Sequence, residues 1–152
     1  MPNATGKRRL LKLADMLEAD AKNKKGIKFD IGTVGHTNDD DVKPSLSCGT
    51  TACAMGLAAI SGKFKRAGLS YFCEKGSSGF ILETTMYGKE ITYTEAAVQL
   101  FDISYQEAYL LFYPGYYPED KSEGAKGERE VAKRIRRLVA GKPIVKDVER
   151  YL

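Results

Sequence analysis

Apolar residues recur along this chain with two different periods, and the changes between them outline the elements. Leu10, Leu13, Ala14, Leu17 and Ala21 stand at helical spacing, which predicts a first helix within residues 1–26, capped by Thr5 and ended by Gly26. Ile27, Phe29 and Ile31 then alternate as a strand does. Residues 48–60 read as a helix of small and apolar side chains on every side, with Thr50 or Thr51 as its cap; a helix without a polar face belongs in a core. Ala52, Gly56 and Ala59 give it one face nearly without side chains, where another backbone can approach closely.

Beyond it, Gly62 and Gly68 punctuate a short connection, and residues 70–93 read as an antiparallel β-ribbon reversing at Lys75–Gly79 and at Tyr87–Gly88. Thr92 with Glu95, and Ser104 with Glu107, have the capping-box spacing and predict a helical hairpin over 93–113. Tyr113-Pro114-Gly115-Tyr116-Tyr117-Pro118 makes a stiff aromatic loop. A last basic helix over 128–140 turns Val131, Ile135, Leu138 and Val139 inward and Lys133, Arg134, Arg136 and Arg137 to water, with Gly141 and Pro143 ending it. The expected fold is a mostly helical α+β domain spanning 1–152: a central small-residue helix surrounded by the N-terminal helix, the hairpin and the C-terminal helix, with the ribbon on one side.

Charge sharpens this picture at one end. The first 28 residues hold Lys7, Arg8, Arg9, Lys12, Lys22, Lys24, Lys25 and Lys28 against Asp15, Glu18 and Asp20, an excess of five cations where the whole chain carries +4. Such a balance suits a solvated helix face, or a surface for phosphates or an acidic partner. Asp39, Asp40 and Asp41 lack the alternating oxygens, central glycine and closing glutamate of a calcium loop, so they read as an exposed acidic stretch. No run approaches the ~20 apolar residues of a membrane span, and the first residues show no apolar run of signal-peptide type. Three cysteines leave one thiol unmatched, which fits a reducing cytoplasm.

The run Cys48-Gly49-Thr50-Thr51-Ala52-Cys53-Ala54-Met55-Gly56-Leu57-Ala58-Ala59, followed by Ala96-Ala97-Val98-Gln99-Leu100-Phe101-Asp102-Ile103-Ser104 and by Leu111-Phe112, resembles a family of small uncharacterised bacterial and phage proteins. In that family a C-G-T-x-x-C-x-x-G-x-A segment precedes A-A-x-x-L-F-G-L-[ST] and a final L-F. The resemblance spans roughly residues 27 to 115 and departs at Asp102, where glycine is usual. It implies a shared fold, a phage or mobile-element origin and a bacterial host cell; it transfers no activity.

Three chemistries compete. A thiol enzyme would use Cys48 as nucleophile at a helix start, His36 as base and Asp30 to orient the imidazole. Zinc would draw on His36, Cys48, Cys53 and Cys73, but these lack the paired spacing of structural sites, and no cofactor is expected. The hairpin is patterned like a helix-turn-helix, yet its second helix offers one glutamine and no cation to DNA, so a DNA-binding regulator is not the favoured reading. The expectation is a non-enzymatic binding protein. It would present Gly49, Thr50, Thr51, Tyr113, Tyr116, Tyr117, Arg134 and Arg137 to a protein or a phosphate-bearing, nucleotide-like ligand.

Overall fold

The computed structural model describes residues 1–39, 43–47 and 49–146. Helix α1 (Ala4–Lys22) is capped by Asn3 rather than Thr5: the Asn3 Oδ1 accepts from the Gly6 N–H at 2.8 Å, and Thr5 falls inside the first turn. The stripe Leu10, Leu13, Ala14 and Leu17 is fully buried, and the neighbour it packs on most is α5 (Gly124–Val139). Arg136 of α5 ties the rim of this contact, its Nε donating to Glu18 and its Nη2 to Asp15, both at 2.7 Å.

Between these helices in sequence the described residues form six strands, β1 (Lys28–Phe29), β2 (Gly35–Thr37), β3 (Thr50–Ala52), β4 (Leu69–Lys75), β5 (Phe80–Met86) and β6 (Lys89–Glu90). They form one mixed sheet in the order β1-β3-β2-β5-β4, with β6 also on β5; β1 runs parallel to β3 and every other pair is antiparallel. The ribbon expected over 70–93 is its β4–β5–β6 part. Its other half is β1, which the alternation of Ile27, Phe29 and Ile31 foreshadows, with β2 and β3, whose three residues each are too few to show a period.

This extension corrects the central helix. Thr50, Thr51 and Ala52 are strand, not the head of a helix: Thr51 stands between Lys28 of β1 and His36 of β2, and the Thr50 hydroxyl oxygen accepts from Ser45 N–H at 2.8 Å. β-Branched threonine suits that role. Helix α2 therefore runs from Ala54 to Ser61, and its cap is the Cys53 sulfur, which accepts from the Gly56 N–H at 3.5 Å. Ala54 through Ala59 are all buried, as a helix without a polar face requires. Gly56 is where backbone meets backbone: a Cβ there would overlap the Val34 carbonyl oxygen.

The hairpin forms as its caps predict. In α3 (Tyr93–Phe101) Glu95 N–H donates to the Thr92 hydroxyl, and in α4 (Tyr105–Phe112) Ser104 and Glu107 complete a reciprocal capping box. Asp102 between them adopts the left-handed conformation, φ 54°, that glycine takes without strain. Its carboxylate accepts from the Asn3 N–H at 3.1 Å, fastening the hairpin to the start of α1. Helix α5 begins at Gly124, ahead of the expected 128, because the chain before it is already held: Ile31 N–H donates to the Ser122 carbonyl at 2.9 Å and Asp30 bridges Glu123.

Where α5 crosses the end of α1, two carboxyls meet in the interior. Glu128 is 2% exposed, and no N–H or hydroxyl donor among the described residues reaches Asp20 Oδ2 or Glu128 Oε2. Burial first, and then the hydrogen bond to Asp20, push the Glu128 carboxyl up from 4.5 to about 9. Glu128 is therefore protonated at neutral pH and donates to the Asp20 carboxylate, whose other oxygen accepts from Ile27 N–H at 3.2 Å. Because the folded chain holds this proton more tightly than the unfolded one, the stability it brings is complete below pH 4.5 and is lost as pH rises towards about 9. The slope should be about 1.4 kcal/mol per pH unit at most. Glu128→Gln keeps a neutral donor and should flatten that slope; urea denaturation between pH 5 and 9 checks this, and equal slopes in the two proteins would contradict the shared proton.

Candidate functional site

The residues expected to perform thiol chemistry sit around β3. His36 is paired with Thr51 on one side of the strand, while Asp30 follows β1 on the other, its N–H donating to Ala52 O at 3.0 Å. Two strand spacings, about 10 Å, separate the backbones that carry them. The Asp30 carboxylate accepts instead from Gly32 N–H at 3.0 Å and from the Thr33 hydroxyl at 3.3 Å, closing its own turn, and these bonds do not orient an imidazole. Cys48 lies outside the described residues. The helix start that would activate a thiol belongs to Cys53, which is buried, and burial pushes its thiol up to about 11. Cys73 lies on β4, its thiol also shifted upward by burial. Among the described residues no three His, Cys, Asp or Glu side chains gather as metal ligands.

The anion cradle expected at Gly49, Thr50 and Thr51 changes character with the strand. The N–H groups of the first helical turn lie beyond Cys53, so the three residues do not present them, and Thr50 is fully buried. His36 faces a shallow depression of 420 Å³ that it shares with Thr33, Asn38, Ile81 and Glu83.

The aromatic loop divides. Tyr113 stacks edge-on against Tyr109 of α4 at 5.7 Å and lies 5.8 Å from Tyr116, and Tyr109 and Tyr113 are exposed. A 3₁₀ turn over Pro114–Tyr116 swings the next residue the other way. Tyr117 is buried, its hydroxyl donating to the Leu111 carbonyl, and the Arg134 guanidinium lies 3.7 Å above its ring. Arg134 therefore does not face water. It is 2% exposed, Nη1 donates to Leu110 O at 2.8 Å, and Nε meets Glu130 at 3.4 Å. A planar cation between an aromatic face and a helix C-terminus replaces the hydration it loses. Arg137 donates to Pro143 O at 2.7 Å and holds the turn after α5. Tyr117, Arg134 and Arg137 thus fasten the fold, and the predicted set does not converge on one ligand.

Cations do converge elsewhere. Arg8, Arg9 and Lys12 on α1 line a groove of 380 Å³ with Lys63 and Arg66 from the turn after α2, over a floor of Phe64 and Ala67. No carboxylate is among its described lining residues. The arrangement follows from helical spacing: Arg8 and Lys12, four apart, look towards the turn, whereas Asp15 and Glu18, three apart, look towards α5 and are neutralised by Arg136. Lys12 is positioned, with Nζ 5.6 Å from the centre of the Phe64 ring and 3.4 Å from Lys63 O. Arg9 is anchored on Leu100 O at 2.9 Å, at the negative end of α3. The basic excess of α1 is visible in the sequence; that Lys63 and Arg66 join it is not, although Lys63-Phe64-Lys65-Arg66 is itself a short basic run with an aromatic inside it.

Neither a protein-family model, nor a curated protein, nor a solved structure matches this chain.

Two measurements test the roles of these residues. Arg134→Ala should cost about 3 kcal/mol in urea denaturation, because it strips the Leu110 carbonyl and the Tyr117 face together, while Arg137→Ala should cost about 1 kcal/mol or less. Iodoacetamide at pH 7.5, followed by peptide mapping, should label Cys53 only after unfolding; rapid labelling of the native protein there would show that the cap is open.

Proposed function

We propose that this protein is a non-enzymatic binding protein that takes a phosphate-bearing ligand in the groove between α1 and the turn after α2. The observation that carries this reading is the segregation of charge: five cationic side chains around one concavity with no carboxylate among its described lining residues. Cations brought together repel one another, so a groove that collects them without a counter-charge is stabilised by an anion that enters it. Three of the five come from α1 and two from a distant turn, which makes the ligand a bridge between two parts of the fold. The motif resemblance to small bacterial and phage proteins supports an accessory role in a bacterial host cell. No described helix is long and apolar enough to cross a membrane.

Inorganic polyphosphate is the simplest probe. Titration calorimetry at low salt should show saturable binding that weakens steeply as salt is raised, because bound phosphates release counterions. The triple variant Arg8→Glu, Lys12→Glu, Arg66→Glu should lose at least tenfold in affinity with its circular dichroism unchanged. Equal affinity in the triple variant and the native protein would refute the groove as the site.

A further inference from the structure

Tyr87 is the most exposed aromatic side chain described, 76% open to water, and it stands in the left-handed conformation at φ 52°. With Gly88 at φ 81° it makes the two-residue reversal between Met86 of β5 and Lys89 of β6. Both central residues of such a turn need positive φ, which asparagine, aspartate and glycine accept easily and an aromatic residue does not. An exposed ring in a strained position contributes little to the core, so the turn itself does not account for the tyrosine.

Its surroundings account for it better. Tyr87 N–H donates to Gly68 O at 2.9 Å, and the ring lies so close over Gly68 that a Cβ there would meet three ring atoms at 2.7–2.8 Å. Gly68 is at φ 101°, so it is glycine for its own backbone as well as for the ring's seat. One face of the tyrosine is thus propped on the chain and the other is left to solvent. Gly68 directly follows Lys65, Arg66 and Ala67, and Arg66 and Ala67 line the cationic groove. A propped, open aromatic face therefore rests on the residue next to a wall of the phosphate site.

We infer that the ligand of the groove is a single-stranded nucleic acid, its phosphates held by Arg8, Lys12, Lys63 and Arg66 and one of its bases stacked on Tyr87. A cationic groove that follows the backbone, with an aromatic platform beside it, is the arrangement that binds unpaired strands with little regard to sequence. A duplex would gain nothing from Tyr87, because its bases already cover one another. The helical hairpin plays no part in this binding. The inference rests on the groove as the phosphate site, and its test separates the two.

The measurement is fluorescence anisotropy with a labelled oligothymidylate, an abasic strand of equal length, and inorganic polyphosphate as competitor. Tyr87→Asn is the informative variant, because asparagine suits the turn and leaves the fold at least as stable. It should weaken oligothymidylate binding by roughly 5- to 100-fold, the worth of one base stacked on an aromatic ring, and leave polyphosphate binding unchanged. Tyr87→Phe should bind like the native protein. The native protein should prefer oligothymidylate to the abasic strand. If Tyr87→Asn binds oligothymidylate as the native protein does, while Arg66→Glu still releases it, Tyr87 is no platform and the groove survives as a phosphate site. The platform is equally refuted, and the groove equally retained, if polyphosphate binds but oligothymidylate binds no better than the abasic strand. If neither binds the native protein, the groove and the platform fall together.

Discussion

A helix with no polar face has to be covered from every direction, and α2 imposes that requirement on the rest of the chain. Ala54 to Ala59 are buried, and α1, α3, β3, β4 and β5 all pack on this helix. Small residues make the coverage close: at Gly56 the neighbour is the Val34 carbonyl, with no space for one methyl group. The strand β3 that leads into α2 is fixed between β1 and β2, so the cap at Cys53 and the sheet position one another. A buried thiol is well suited to that junction, since it caps weakly while filling core volume.

Charge is arranged around this core by the geometry of two helices. Arg136 satisfies Asp15 and Glu18 on one side of α1, which leaves the cations on another side without opposition from their own helix. Arg134, two residues earlier on the same helix, lies inside, between Tyr117 and the Leu110 carbonyl. Two arginines of one basic helix therefore do opposite things to the surface field: one removes acidic charge from α1 and the other removes itself.

Backbone strain in the described residues falls at two turns. Asp102 and Tyr87 are the two non-glycine residues described at positive φ. Asp102 offsets its conformation structurally, by accepting from Asn3 and joining the hairpin to α1. Tyr87 makes its contact with Gly68, the residue after Ala67, and leaves its other face open.

Much is legible from residue pattern alone. The stripe of α1, the ribbon β4–β5, the caps of both hairpin helices and the all-apolar character of α2 depend on neighbours within a few residues, and local spacing encodes them. The limits of α2 are not legible, because whether Thr50-Thr51-Ala52 is strand or helix depends on pairing with β1 and β2 earlier in the chain, and of these only β1 shows itself, in the alternation of Ile27, Phe29 and Ile31. Nor is the division of the tyrosines and arginines. Tyr113 and Tyr117 are alike in type and close in sequence, yet a 3₁₀ turn sends one out and one in. The basic character of α1 is determined by the sequence itself, through the lysines and arginines of its first turns. The groove is decided only by tertiary structure, since Arg8 and Arg66 stand 58 positions apart and meet because α2, buried on all sides, brings its following turn against α1.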